Sequence, residues 1–239
     1  MSALHQWFSC FVGLFLPRRC PVCGGRLVQD DECICLSCMA GLPRTDYHLK
    51  AGNRMEQRFY GIVPIERAAA YYHYSSHSPY SRLIYRIKYQ GDSRMGIFMG
   101  RCMAKHLMIE GNFLWGIDRI VPVPLSITRH RQRGYNQSSL LAQGISDVSG
   151  IPVDDSLLKR MTDNPTQTKL HGHERWENVT GIFEISGNVV ETLRGKHLLL
   201  VDDVATTGAT LANCALAIRE KIPDCRISLL ALAVSDVDR

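Results

Sequence analysis

The chain has 239 residues, 45% of them hydrophobic and 21% charged, and a net charge of +5 from 28 basic and 23 acidic side chains. This composition suffices for one substantial core and a small additional module, and it predicts a soluble cytoplasmic protein. It gives no support for export, and the modest positive charge permits a polyanionic partner without requiring one.

An apolar segment lies near the start of the chain, between Leu4 and Leu16. It has no cationic residue before Arg18, lacks a small-residue cleavage site and is too short to span a bilayer. We therefore expect neither a signal peptide nor a transmembrane segment. The predicted structure is an amphipathic helix that packs on the body of the protein, and attachment to a membrane surface is the alternative.

Two CxxC pairs follow, Cys20 with Cys23 and Cys35 with Cys38, separated by eleven residues. Four thiolates at this spacing suit the tetrahedral geometry of a structural zinc site. Cys33 could replace Cys35 only with an altered loop, and Cys35 is preferred because it completes the second pair. A disulfide framework would need an oxidising compartment, and a thioredoxin-like site needs one pair rather than two. The sequence therefore predicts a bound zinc ion.

Strand and helix patterns alternate after a loop-like stretch over residues 41–66. The predicted strands are 68–74, 119–123, 196–201 and 226–234, and the predicted helices are 80–89, 95–109, 138–148 and 209–220. This alternation predicts an α/β fold with a mainly parallel sheet and helices on both faces. We expect two domains, a zinc-ribbon-like module over residues 1–45 and the α/β domain over residues 66–239.

Two polar segments interrupt this pattern. In the first, a proline-containing loop after the strand 119–123 leads to Arg129, Arg131 and Arg133, which fall within five residues. Guanidinium groups bind phosphate oxygens bidentately, so this basic segment is a candidate phosphate site, and a solvated surface is the alternative. The second segment, over residues 164–183, is either an ordinary surface loop or a functional one, and its length favours function.

Residues 198–211 read LLLVDDVATTGATL, the pattern of a strand, a tight loop and a helix. Gly208 permits close approach of the backbone, and the first N–H groups of the helix would face an anion. The adjacent acids Asp202 and Asp203 suit ribose hydroxyls and could also hold hydrated magnesium. Together these groups predict a site for a 5′-phosphoribosyl group. The alternative is a buried strand that ends in a solvated acidic turn. A P-loop is excluded because the chain lacks GxxxxGK[ST].

This segment resembles the phosphoribosyl pyrophosphate (PRPP) motif of type I phosphoribosyltransferases. The resemblance implies that Asp202 and Asp203, as the catalytic acids, contact the ribose 2′- and 3′-hydroxyls. It also implies that one loop, here named the phosphate loop, surrounds the 5′-phosphate. The phosphate loop consists of Ala205, Thr206, Thr207, Gly208, Ala209 and Thr210.

Further motifs extend the resemblance to the ComF family, also called the GntX family, whose members resemble type I phosphoribosyltransferases with an amino-terminal cysteine module. The matching residues are Phe15-Leu-Pro, Cys20-Pro-x-Cys23-Gly24 and Cys35-x-x-Cys38, Ile87-Lys88-Tyr89-x-Gly91, Val121-Pro-Val-Pro124, Arg133-Gly-Tyr-Asn-Gln137, Gln167-x-x-Leu170, Arg175, Asn178-Val179 and the DD–TTGAT motif.

The family resemblance implies roles for residues outside the phosphate loop. It implies a pyrophosphate loop formed by Val123, Pro124, Leu125 and Ser126. It implies a flexible loop over residues 162–178 that includes Gln167 and Arg175. Lys88 and Arg133 are expected near the ligand. The implied cofactors are structural Zn²⁺ and Mg²⁺ bound with PRPP. Some relatives carry further cysteines that residues 42–67 lack, so a second metal site is not expected.

Two functions follow from the resemblance. One is transfer of a phosphoribosyl group from PRPP, or a related ribose 5-phosphate compound, to an acceptor that the sequence does not identify. The other is a non-catalytic module that binds single-stranded DNA or senses PRPP and acts with DNA-uptake proteins. In the second case the basic segment and nearby tyrosines would hold the DNA strand by charge and stacking.

Overall fold

The computed structural model describes residues 18–28, 32–161, 182–185 and 190–235. Its helices and strands are, in chain order, α1 (Leu36–Ala40), a 3-10 helix (Tyr47–Leu49), α2 (Arg54–Gln57), β1 (Ala68–Tyr74), α3 (Ser81–Tyr89), α4 (Ser93–Ile109), β2 (Arg119–Pro122), α5 (Ile127–Arg133), α6 (Gln137–Ser149), β3 (Leu158–Arg160), β4 (Phe183–Ile185), a second 3-10 helix (Glu191–Leu193), β5 (His197–Ala205), α7 (Ala209–Lys221) and β6 (Arg226–Ser235). The amphipathic helix predicted near the start of the chain lies outside the described residues.

A four-stranded parallel sheet forms the centre of the fold, with strand order β1-β6-β5-β2. The two central strands are largely aliphatic, and residues 198–201 and 229–234 are fully buried. Such continuous apolar strands are typical of a parallel sheet covered on both faces. The predicted α/β fold is therefore confirmed. A separate antiparallel pair, β3 with β4, was not predicted.

Helices α4 and α6 pack closely because glycines lie where they cross. A Cβ atom added at Gly100 would overlap the backbone of α6, and one added at Gly144 would overlap the backbone of α4. The close packing of α4 and α6 holds α6 near the sheet. The first turn of α6 therefore lies beside β5. Within the described residues, no helix combines the length and apolar character needed to cross a bilayer.

The prediction of a loop over residues 41–66 is wrong for part of this stretch, which contains a 3-10 helix and α2. Arg44 forms an antiparallel bridge with Tyr72 of β1, and Met55 and Phe59 are fully buried in the core. These helices are too short to produce a helical periodicity in the sequence, and they are stabilised by packing on the sheet. The division into domains 1–45 and 66–239 stays a prediction.

Two further boundaries differ from the prediction near the expected site. Strand β5 continues to Ala205, so Asp202 and Asp203 belong to the strand rather than to the loop after it. The basic segment forms helix α5, which begins after Ser126 and ends at Gly134. The Ser126 hydroxyl caps α5 by accepting a hydrogen bond from the Arg129 N–H, and Gly134 adopts the left-handed conformation common at helix ends.

Candidate phosphate-binding site and cysteine cluster

The two acids lie at the carboxyl end of β5, between β2 and β6. One Asp202 oxygen accepts hydrogen bonds from the Ser138 hydroxyl at 3.2 Å and from the Asp203 N–H at 2.8 Å. Asp203 is buried and forms an ion pair with Lys88 of α3, with 3.0 Å between Nζ and Oδ1. The structure thus brings Lys88, expected near the ligand, into direct contact with one of the two acids.

The environment of Asp202 opposes its negative charge. Burial raises the pKa of this carboxyl to about 7, and the neighbouring charge of Asp203 acts in the same direction. Lys88 and the hydrogen bond from Ser138 oppose the shift without removing it. A carboxyl of this kind is partly protonated near neutral pH, and binding of a cation or of hydroxyl donors would favour its ionised form.

The phosphate loop encloses a small cup at the start of α7. The cup has a volume of about 30 Å³ and is lined by Asp202 and by residues 204–211. Gly208 has a φ of +86°, which strains any residue with a Cβ atom, and a Cβ atom there would lie 3.0 Å from the Phe59 ring, so the ring would also have to shift. The N–H groups of the first helical turn lie at this cup, where a helix favours an anion. The cup is therefore suited to a phosphate group.

Arg58 holds the phosphate loop in place by hydrogen bonds, a role that the sequence did not predict. Its guanidinium donates hydrogen bonds to the carbonyl oxygens of Ala205 and Thr206 in the loop and, at 3.0 Å, to that of Ser235 at the end of β6. Arg58 and Phe59 follow α2 in the stretch predicted as a loop. No local pattern marks them, because their role depends on contacts with residues more than 140 positions away.

The predicted pyrophosphate loop, formed by Val123, Pro124, Leu125 and Ser126, lies beside the acids. The Val123 N–H donates to the Val201 carbonyl at 2.9 Å, and the Asn136 amide donates to the Val123 carbonyl at 3.0 Å. These bonds hold the loop between β5 and the start of α6. Gln167 and Arg175, assigned to the flexible loop, lie outside the described residues.

A cleft of about 660 Å³ separates α3 from α5. It is lined by Lys88, Tyr89, Gly91, Arg129, Gln132 and Arg133. Arg129 and Arg133 lie four residues apart in α5 and share one helix face, whereas Arg131 is not among the lining residues. From the sequence, the three arginines were expected to act as one group. In helix α5, two of them line the cleft and the third lies on another face.

Aromatic rings adjoin the arginines of this cleft. Tyr85 and Tyr89 are exposed, and their ring centroids are 5.3 Å apart. The Arg133 guanidinium lies over the Tyr89 ring, 5.2 Å from its centroid, and donates a hydrogen bond to the Gln137 side chain at 2.9 Å. The face of α3 that borders the acids therefore also presents exposed rings beside cationic groups.

Cys20, Cys23, Cys35 and Cys38 form a cluster in which the sulfur atoms all lie within 4.8 Å of one another. The first pair sits in a turn closed by hydrogen bonds between Cys20 and the two following glycines, and Cys35 precedes α1. The structure thus brings the four predicted cysteines together, with Cys35 and not Cys33 in the cluster. Four convergent thiols have the donor set of a structural zinc site.

The cysteine cluster is joined to helix α3. The Tyr80 hydroxyl donates to the Cys38 carbonyl at 3.0 Å, and the Arg82 guanidinium donates to the Val22 carbonyl at 2.9 Å. Lys88, at the other end of α3, contacts Asp203. One helix thus links the cysteine cluster to the acids at the edge of the sheet.

These features define an α/β protein with paired acids and a glycine-containing loop at the carboxyl edge of its sheet and with a small module of four clustered cysteines. No family model matches the chain. The chain is 32% identical over 199 residues to the DNA utilization protein YhgH of Escherichia coli strain K12, and the match covers 82% of each chain. It is 28% identical over 219 residues to competence protein F of Haemophilus influenzae, covering 86% of this chain and 93% of that one.

A third relative, the competence protein ComFC of Bacillus subtilis, is 38% identical over 102 residues, or 43% of this chain and 38% of its own. The chain belongs to the ComF family. The fold and the family are compatible with a phosphoribosyltransferase-like protein.

Proposed function

We propose that this protein binds PRPP, or a related ribose 5-phosphate compound, together with Mg²⁺ and transfers the phosphoribosyl group to an acceptor. The observation that carries the proposal is the adjacency of the paired acids and the phosphate loop on one strand end. The loop supplies oriented N–H donors for the 5′-phosphate, and the acids supply acceptors for two ribose hydroxyls. The proposal is supported by the position of both groups within consecutive residues from Asp202 to Thr210.

The acids also fit a role in holding Mg²⁺, since they offer carboxylate oxygens and a cation would stabilise the ionised form of Asp202, whose pKa is raised by burial. When bound, the ion would neutralise charge on the pyrophosphate leaving group. The chain itself supplies Lys88 next to Asp203 and Arg133 across the cleft. Loss of pyrophosphate generates a cationic ribosyl centre, so the residues need mainly to orient the sugar, bind the leaving group and exclude water.

Turnover is tested by incubating the protein with PRPP, Mg²⁺ and a panel of nucleobases and nucleotide-like acceptors. We expect pyrophosphate release that depends on one acceptor class. Release that is absent for every acceptor, from protein that binds PRPP, would favour the sensing function over the enzymatic one.

We expect ligand binding to release protons. Asp202 has a pKa of about 7 in the free protein, and hydroxyl donors and a cation stabilise its ionised form. The pKa therefore falls on binding, so the affinity should rise as the pH increases towards 7 and then level off. Calorimetry in buffers of different ionisation enthalpy measures the released protons. A D202N variant should lose the contribution of this residue, and the same proton release from that variant would contradict the assignment.

A second function is supported by the exposed rings beside the cleft. We propose that Tyr85, Tyr89, Arg129 and Arg133 bind single-stranded nucleic acid by stacking and charge. The names of the relatives, competence protein and DNA utilization protein, agree with such a role in DNA uptake. A DNA strand on this face would pass directly beside Lys88 and the acids.

The DNA hypothesis predicts a binding constant that falls steeply with salt, by roughly 0.7 log unit per log unit of salt for each phosphate contacted. The R129A/R133A variant should flatten this slope by about one contact per arginine. R131A is the control within the same helix: it removes one positive charge outside the cleft, whereas the double variant removes two from within it, so the change in slope is compared per arginine. Equal slopes for all three proteins would exclude the cleft as the DNA site. A Y89A variant should weaken binding by about 1–3 kcal/mol without changing the slope.

A further inference from the structure

A second group of metal-binding side chains lies away from both the cysteine cluster and the phosphate loop. His48 belongs to the 3-10 helix Tyr47–Leu49, His106 to the last turn of α4, and Glu110 follows the end of α4. Each offers one donor atom, and the three donor atoms lie within 4.8 Å of one another. The two imidazole rings have centroids 4.7 Å apart.

Both imidazoles leave a buried nitrogen without a partner. The Nε2 atoms of His48 and His106 are inaccessible to solvent and have no hydrogen-bond partner in the part of the chain that the structure describes. His48 is only 3% exposed. An unsatisfied buried polar atom costs free energy, and two in one cluster require an explanation.

An ordinary ion pair does not provide that explanation. His106 Nδ1 lies 3.2 Å from a Glu110 oxygen, one helical turn along, and this contact satisfies one of the four ring nitrogens. The Nε2 atoms of both rings still have no hydrogen-bond partner among the described residues. The planes of the two rings are tilted by 59° to each other, so the rings do not stack face to face.

Burial favours a neutral imidazole at His48. Burial lowers the pKa of His48, and the neighbouring His106 acts in the same direction. Arg67 lies close by, since its guanidinium donates to the His48 carbonyl at 3.1 Å. Neutral imidazole is the form that binds metal ions.

We propose that His48, His106 and Glu110 bind a divalent transition metal ion of the zinc class. Two imidazoles and one carboxylate form a common zinc donor set, with water completing the coordination. The donor atoms must move closer than 4.8 Å, and Glu110 can do so because its side chain is 51% exposed at the end of a helix. Binding through the two Nε2 atoms would give both a partner, and Glu110 would then leave His106 Nδ1 to reach the ion.

The site would connect two parts of the chain. His48 lies in the segment that leads from the cysteine cluster to β1, and His106 lies on α4 in the core. A bound ion would fasten this segment to the end of α4. This proposal departs from the expectation, drawn from the cysteines alone, that the chain has no second metal site, because no cysteine contributes to this one.

Metal binding by the full chain tests the proposal. Protein already carrying one zinc ion per chain is titrated with Co²⁺, and metal content and visible absorption are recorded. We expect one further ion per chain, with the weak absorption of nitrogen and oxygen ligands and without the thiolate-to-cobalt charge-transfer band of a cysteine site. H106Q and E110Q should each weaken binding of this ion by at least about tenfold.

The matched control is H77Q, which replaces an exposed histidine outside the cluster. It should bind the second ion as the wild type does. E110Q changes an exposed side chain and should keep the fold and the zinc ion of the cysteine cluster, so its loss of cobalt cannot be attributed to unfolding. A wild type that binds only one ion would overturn the proposal, as would second-ion binding that is unchanged in both H106Q and E110Q.

Discussion

Replacing Cys23 by serine is expected to release the zinc ion that we assign to the cysteine cluster and to unfold the module around it. Serine offers a hydroxyl in place of one of four convergent thiolates, and the other three cannot complete the tetrahedral site. Structural zinc binding is coupled to local folding and contributes about 10 kcal/mol or more in small zinc peptides. We expect loss of a large part of such a contribution in the module, while the α/β core stays folded because the central strands of its sheet are fully buried.

Elemental analysis of protein purified with reductant measures the metal, and circular dichroism measures the core. C33S is the matched control, since Cys33 lies two residues from Cys35 but outside the cluster. It should retain one zinc ion per chain. Absence of zinc from the wild-type protein, or equal zinc in wild type and C23S, would contradict the assignment.

Loss of the module should also affect the far end of α3. Tyr80 and Arg82 would lose their hydrogen-bond acceptors, which are backbone carbonyls of the module. Helix α3 also positions Lys88, which forms the ion pair with Asp203. We therefore infer that C23S weakens ligand binding at the acids even though no cysteine lies near them.

The sequence predicted the elements of the sheet well because their signals are local. Aliphatic runs mark the buried strands, and the helices α3, α4, α6 and α7 begin and end within two residues of the predicted bounds. Elements that depend on distant contacts were missed. Helix α2 is too short to show a period, and β3 pairs with β4 across more than 20 intervening residues.

The residues of the candidate site also fall into those with a local sequence signal, which were predicted, and those that depend on distant contacts, which were missed. The acids, the phosphate loop and the four cysteines lie in short motifs whose spacing is visible in the sequence. Arg58 and Phe59 support the phosphate loop from a segment with no motif, and only the folded chain brings them there. The basic segment was correctly identified as rich in charge, but its helical form decides which arginines face the cleft.

The D202N/D203N variant is expected to lose most of its affinity for PRPP while remaining folded. Asparagine has nearly the size of aspartate but accepts weaker hydrogen bonds and provides no charge for a cation. A hydrogen bond to a charged group contributes roughly 1.5–3 kcal/mol, so loss of both acids should weaken binding by at least about 100-fold. Folding should survive because burial already opposes the charge of Asp202.

The chain contains a matched control for this variant. Asp154 and Asp155 form a second adjacent pair, which accepts hydrogen bonds from Ser156 and Ser139 and takes no part in the cup. D154N/D155N removes the same two charges from the protein. Its affinity for PRPP should equal that of the wild type, which separates a specific role of the acids from a general effect of net charge.

Calorimetric titration of the zinc-loaded protein with PRPP and Mg²⁺ tests the central proposal most directly. The wild type and D154N/D155N should bind one PRPP per chain, and D202N/D203N should bind at least about 100-fold more weakly. Equal binding by the wild type and D202N/D203N, or no binding by a folded wild type, would contradict a phosphoribosyl site at the end of β5.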